Sequence, residues 1–194
     1  MPRTRTFLAV DTGDAIRKHA VALQKQLGRT IPDGVNWTDP GGMHVTLLFL
    51  GEVDDREVVQ VCRAVKDVAT REPAFSLAVS GVGAFPNPRR PKVVWGGVTE
   101  GADALQRLHA ALEERMLDLG CYRKEDRAYT PHLTLGRITD DAAGFALVAE
   151  LPKLADWDGG RVSVNEVRVY TSELRRTGPE YAVIARSALT GEPT

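Results

Sequence analysis

Cysteine is nearly missing from this chain. Only Cys62 and Cys121 occur in 194 residues, and their spacing matches no metal-binding motif. So few thiols offer no disulfide framework and fit a reducing compartment. Long apolar runs are also missing. None approaches the roughly 20 residues that a membrane helix needs, which excludes a helical span. The start Met1-Pro2-Arg3-Thr4-Arg5-Thr6 has no apolar signal core, so the cytoplasm is the expected location. Neither sign of charge is in excess: 25 Lys and Arg stand against 26 Asp and Glu, a formal net charge of −1. A basic coat for polyanions is thereby excluded, whereas a local basic cleft is not. The chain holds no Walker-type phosphate loop and no Gly-x-Gly-x-x-Gly fingerprint, so nucleotide binding by those folds is not expected.

What is present is the make-up of a folded domain, 43% hydrophobic and 26% charged. Residues 5–11 read as a buried strand. Asp11, Thr12 and Asp14 then offer helix-capping chemistry. Ile16, Ala20, Leu23 and Leu27 follow at helical spacing, with Gly28 as the expected stop. Residues 29–42 read as a loop and 43–50 as a strand. Val58, Val61, Cys62, Val65 and Val68 mark one face of a second helix. Phe75 to Phe85 and Lys92 to Val98 form a hairpin around the turn 86–91. Leu105, Leu108, Leu112, Met116 and Leu119 define a third helix closed by Gly120. A basic loop leads to the strand His132 to Ile138. Residues 140–151 read as a short helix. Strands Arg161 to Thr171 and Glu180 to Ala188 close the chain, with Gly178 and Pro179 between them. Strands that follow both helices and strands argue for an α+β class. A faint repeat relates the halves: helix 15–27 precedes the strand at His44, and helix 104–119 precedes the strand at His132. This reads as 1–194 in one domain of two lobes.

Two of the four histidines head the same pattern. His44-Val45-Thr46-Leu47 and His132-Leu133-Thr134-Leu135 both read His-x-Thr-Leu. In a strand, residues i and i+2 share a face. Each histidine therefore stands beside its threonine, and the apolar neighbours turn to the other side. If the two strands meet near a pseudo-twofold axis, two imidazoles and two hydroxyls converge. Two histidines suit acid–base work, because one takes a proton while the other gives one. Threonine hydroxyls can donate to phosphoryl oxygens. A single such motif is weak, but the pair favours chemistry over two unrelated strand histidines. A metal site is disfavoured, since threonine is not a usual zinc ligand and no Cys or carboxylate cluster joins the set.

The paired motifs resemble those of the 2H phosphoesterases, specifically the bacterial and archaeal RNA 2′,3′-cyclic phosphodiesterases long called 2′-5′ RNA ligases. The likeness extends over nearly the whole chain. Arg5 to Asp11 is similar to the family's first strand. Trp37 with Met43 to Gly51 resembles its first motif region, Ala84 to Pro91 its hairpin tip, and Tyr129 to Arg137 its second motif. Ser172-Glu173-Leu174 with Gly178-Pro179-Glu180-Tyr181 resembles its C-terminal strands. Tyr129 and Gly136 depart from the family's more usual Phe and Ala.

The resemblance implies a bilobal fold, with antiparallel sheets around a central cleft and helices outside. It implies no cofactor, no metal, and hydrolysis of an RNA 2′,3′-cyclic phosphate to a 2′-phosphomonoester. His44 is then the proton donor and His132 the proton acceptor. The near symmetry of the motifs leaves the reverse assignment open from sequence. Small cyclic nucleotides are further candidate substrates, and a monomer is the expected state. Rival functions are 2′-5′ RNA ligation, the reverse chemistry, and a non-catalytic RNA- or nucleotide-binding module.

Thr46, Thr134 and Arg137 are the expected phosphate contacts. Strict alternation puts Arg137 on the face opposite His132, unless Gly136 bulges the strand and re-aims it. Arg89, Arg90 and Lys92 on the hairpin tip, and Arg123, Lys124 and Arg127 before His132, either line a cleft rim or form a solvated face. Tyr129 is the expected stacking partner for a base. Phe49, by alternation, belongs to the core, and Trp37, Trp95 and Trp157 read as packing residues. His19 and His109 have no partner pattern and read as surface or boundary residues, and Cys62 as a buried thiol.

Overall fold

A computed structural model describes residues 3–124, 126–175 and 178–191. The elements are β1 (Arg3–Asp11), α1 (Gly13–Thr30), β2 (Val35–Trp37), β3 (His44–Asp54), α2 (Asp55–Ala69), β4 (Phe75–Asn87), β5 (Arg90–Glu100), α3 (Ala102–Asp118), β6 (His132–Ile138), α4 (Asp141–Glu150), β7 (Asp158–Val164), β8 (Glu166–Arg175) and β9 (Gly178–Ala188). The strands form one antiparallel sheet in the order β7-β4-β5-β6-β3-β1-β8-β9, with β2 paired to β6 off that path. Helices α1 and α4 pack on the β4–β7 half; α2 and α3 pack on the half formed by β3, β1, β8 and β9. The class is α+β, as expected.

Local chemistry sets the helix starts. The Asp54 carboxylate accepts from the Arg56 amide at α2, and Asp140 does the same for Ala143 at α4. Gly101 precedes α3 with φ +82°, and a Cβ there would lie 2.4 Å from the Ser76 carbonyl oxygen. Only glycine fits both demands. Thr12 behaves differently from expectation: its hydroxyl donates to the Met43 carbonyl and ties β1 to the start of β3.

The sequence expectations fail at several boundaries. Helix α1 runs past Gly28 to Thr30. The 29–42 loop contains β2 and a 3-10 turn at Pro40–Gly42. The strand expected over 161–171 is two strands, β7 and β8, that part at Asn165: β7 pairs with β4 at one edge of the sheet, and β8 pairs with β1 and β9 towards the other. Gly178 and Pro179 belong to β9. The hairpin tip is tighter than the 86–91 turn: Asn87 accepts from the amides of Arg89 and Arg90 and closes it within two residues.

The two halves of the sheet meet at one register pair, Val45 opposite Leu133. Both side chains are fully buried, facing the helices among Leu8, Val10, Leu47 and Leu135. This junction holds β3 to β6, so Leu133→Ala is expected to lower unfolding free energy by about 2–5 kcal/mol. Chemical denaturation measures it.

Candidate active site

The junction fixes the site. Extending the antiparallel register from Val45 and Leu133 sets His44 across from Thr134 and Thr46 across from His132. All four side chains point away from the helices, and all four are half-buried. The convergence expected from the paired motifs is therefore built by one cross-strand pair. His44 and His132 are near enough that a charge on His132 disfavours one on His44.

Aromatic rings wall each imidazole. His44 lies 4.9 Å from the Phe7 ring, 5.5 Å from Tyr170 and 5.4 Å, edge-on, from Tyr181. Phe7 and Tyr170 are themselves stacked at 4.9 Å. His132 meets the Phe85 edge at 4.9 Å and Trp95 at 6.3 Å. Trp95, expected as a packing residue, packs in this wall against Phe85. Each imidazole also bonds the backbone two residues before it. His132 Nδ1 lies 2.7 Å from the Thr130 carbonyl, and His44 bonds the Gly42 backbone. Pinning one nitrogen this way fixes the ring and leaves the other for proton transfer.

Burial dominates the titration of both groups. It lowers His44 from 6.5 to about 4, opposed by the Gly42 bond and by Asp11, with His132 lowering it further. Burial also lowers His132, opposed by the Thr130 bond, and the Arg137 charge adds to the lowering. Asp11 pairs with His44 across the β1–β3 ladder and is held by Arg17 at 2.5 Å and Arg168 at 3.4 Å. A consequence for stability follows. Between pH 6.5 and about 4 the folded His44 is neutral while the unfolded chain binds a proton. The stabilisation is full above pH 6.5 and is lost as pH falls toward 4. At about 1.4 kcal/mol per unit, the loss attributable to His44 is on the order of 3–4 kcal/mol. Denaturation at stepped pH should show a smaller acid loss in His44→Gln than in the parent.

Two β-bulges decide what else faces the cleft. Opposite β1, residues Leu48 and Thr46 pair with consecutive Leu8 and Ala9, so Leu47 is an extra residue. Opposite β5, Gly136 and Thr134 pair with consecutive Val94 and Trp95, so Leu135 is extra. An extra residue inverts the alternation beyond it. Phe49 therefore pairs with Phe7 on the cleft face, is 54% exposed, and is not in the core as alternation suggested. Arg137 likewise turns to the side of His132, exposed, while Ile138 is buried. Its charge acting on His132 agrees with that placement.

The remaining candidates divide. Tyr129, the ring expected to stack on a base, is already committed: it stacks on His109 at 4.1 Å and 7°, and its hydroxyl donates to the Thr46 carbonyl at 2.9 Å. Its burial pushes the phenol above its ordinary value. Arg89 and Arg90 are exposed on the hairpin tip, and Arg127 is exposed in the loop before β6. Lys92 pairs with Asp141 and Lys124 with Glu113. Trp37 and Trp157 are half-buried against the core, as expected, and so is Cys62.

A cleft with facing His-Thr pairs at the centre of a two-lobed antiparallel sheet is that of a 2H phosphoesterase. The comparisons agree. The 2′-5′ RNA ligase superfamily model matches residues 39–176, and this chain belongs to that family. It is 36% identical over 177 residues to the RNA 2′,3′-cyclic phosphodiesterase of Archaeoglobus fulgidus, covering 91% of this chain and 96% of the relative. It is 33% identical over 179 residues to that of Methanothermobacter thermautotrophicus, covering 92% and 95%. Among solved structures, TT0787 of Thermus thermophilus superposes with a TM-score of 0.83 at 27% identity, covering 97% of this chain and 100% of that one. E. coli LigT in complex with 3′-AMP gives 0.76 at 25% identity, covering 97% and 99%.

Proposed function

We propose that this protein hydrolyses RNA 2′,3′-cyclic phosphate ends to 2′-phosphomonoesters without a metal ion. The observation that carries the reading is the facing pair of His-x-Thr motifs across β3 and β6. The names of the relatives at 33% and 36% identity support the substrate class. In this reading the two imidazoles, as acid and base, carry the chemistry.

In this reading Thr46 and Thr134 donate to the non-bridging phosphoryl oxygens, and Arg137 pairs with the phosphate charge. His132 takes a proton from water as the water oxygen bonds to phosphorus. The bond from phosphorus to the 3′ oxygen breaks, and His44 delivers its proton to that oxygen. The two histidines then exchange protons with solvent and reset. The charged neighbours favour these roles: Asp11 supports a protonated His44, and Arg137 opposes one at His132. Burial works against charging His44, and a bound phosphate anion offsets it. Phe49, exposed and backed by the buried Phe7 ring, offers a ring surface for the terminal base. Arg89, Arg90 and Arg127 are the outer contacts for a longer RNA.

Ligation is the second reading, favoured by the superfamily to which the chain belongs. It puts an RNA 5′-hydroxyl in the place of water. The separating experiment supplies a cyclic-ended RNA with and without a 5′-hydroxyl RNA. Hydrolysis to a 2′-phosphate in both mixtures supports the proposal. A joined 2′-5′ product dominating when the acceptor is present would replace it with ligation.

A further inference from the structure

The bulges at Leu47 and Leu135 are the same device used twice, and each is held from the opposite half of the chain. An extra strand residue leaves a carbonyl without its regular ladder partner. His109, on α3, places Nδ1 2.7 Å from the Leu47 carbonyl. Gln24, on α1, donates from Nε2 to the Leu135 carbonyl at 2.9 Å and to the Thr38 carbonyl at 2.8 Å. The Thr38 amide adds a second donor to Leu135 at 3.0 Å. Helix α1 precedes the His44 motif yet serves the His132 strand; α3 precedes the His132 motif yet serves the His44 strand. Gln24 is one of only four buried polar or charged residues described, at 8% exposure, and it sits on the apolar stripe of α1.

Each clamped leucine lies two residues before a side chain that the bulge turns into the cleft. These are Phe49 after Leu47 and Arg137 after Leu135. Both stand five positions after a histidine, and they differ in kind. Around two identical motifs, this position separates an aromatic side from a cationic side.

We propose that Gln24 and His109 are positioning residues that lock the two bulges and so hold Arg137 and Phe49 on the cleft face, where they orient the substrate. The proposal rests on the reaction assigned above. Without His109 the Leu47 carbonyl loses its clamp, and without Gln24 the Leu135 carbonyl keeps only the Thr38 amide; each loss favours a strand that slips toward regular pairing, and a one-residue slip sends the following side chain to the other face. Neither residue touches substrate; each acts through the side chain it aims.

Kinetics on an RNA oligonucleotide ending in a 2′,3′-cyclic phosphate, together with amide hydrogen exchange, test this. His109→Phe keeps a ring against Tyr129 but loses the donor, whereas His109→Gln keeps a donor. Gln24→Met keeps the volume and loses both donors. His109→Phe and Gln24→Met are each expected to raise KM about 5- to 10-fold with kcat within about twofold, and His109→Gln is expected to restore most of the loss. Double variants carry the decision. His109→Phe should add nothing to Phe49→Ala, and Gln24→Met nothing to Arg137→Ala. Exchange should quicken at amides 47–50 in His109→Phe and at 135–138 in Gln24→Met, with the other bulge unchanged. Multiplying effects in the double variants, or parent-like KM and exchange, would overturn the clamps. If the parent itself fails to turn over the substrate, the assigned reaction falls, and the exchange pattern alone still decides whether the bulges are clamped.

Discussion

Replacing either motif histidine with alanine is expected to lower kcat by about 10²- to 10⁴-fold, the range attached to a positioned acid or base. Both side chains are half-buried and face away from the helices, so the fold should persist in each variant. The pH profile tells the roles apart. A general acid acts protonated, so its contribution disappears as pH rises through its pKa; a general base loses its contribution as pH falls. The limb at high pH should therefore vanish in His44→Ala, and the limb at low pH in His132→Ala. The double variant should lose little more than the worse single one, because acid and base act as a unit. Limbs lost in the opposite order would reverse the assignment while leaving the cleft as the active site.

The threonines carry the second large effect. Thr46 and Thr134 stand across the β3–β6 junction from the histidines and can donate to oxygens on which charge accumulates in the transition state. Valine keeps the branched shape and removes the donor. Thr134→Val, or Thr46→Val, is expected to cost about 10²-fold in kcat, with a far smaller change in stability. Single-turnover rates alongside thermal melts measure both. A loss confined to KM would mean that the hydroxyls hold the ground state rather than the transition state.

The centre of this site was legible because strand alternation is a local rule. His44 and Thr46, and His132 and Thr134, share faces wherever β3 and β6 are placed, and the repetition of His-x-Thr-Leu marked them as partners. The surrounding residues were not legible for the same reason. Alternation from His44 put Phe49 in the core, and it is exposed because Leu47 is extra in its ladder. The same rule left Arg137 undecided between two faces, and only Gly136 hinted at a bulge. Pairing partners from β1 and β5 create both bulges, so no window around the motif contains the answer. Tyr129 and His109 show the matching limit. A loop tyrosine and a helical histidine with no local pattern become a stacked pair under β3, joined by tertiary contact alone. Gln24 did carry a signal, a polar side chain on an otherwise apolar stripe. The failed boundary at Asn165 has a different cause: β7 and β8 run in the same sense with one residue between them, so two strands with different partners read as one run.

One assay bears most directly on the central claim, that paired histidines and threonines hydrolyse the cyclic phosphate unaided. An RNA oligonucleotide ending in a 2′,3′-cyclic phosphate would be incubated with the protein in excess EDTA, and the product isomer identified. Undiminished turnover to a 2′-phosphate is the expected result. Activity abolished by EDTA and restored by a divalent cation would contradict it.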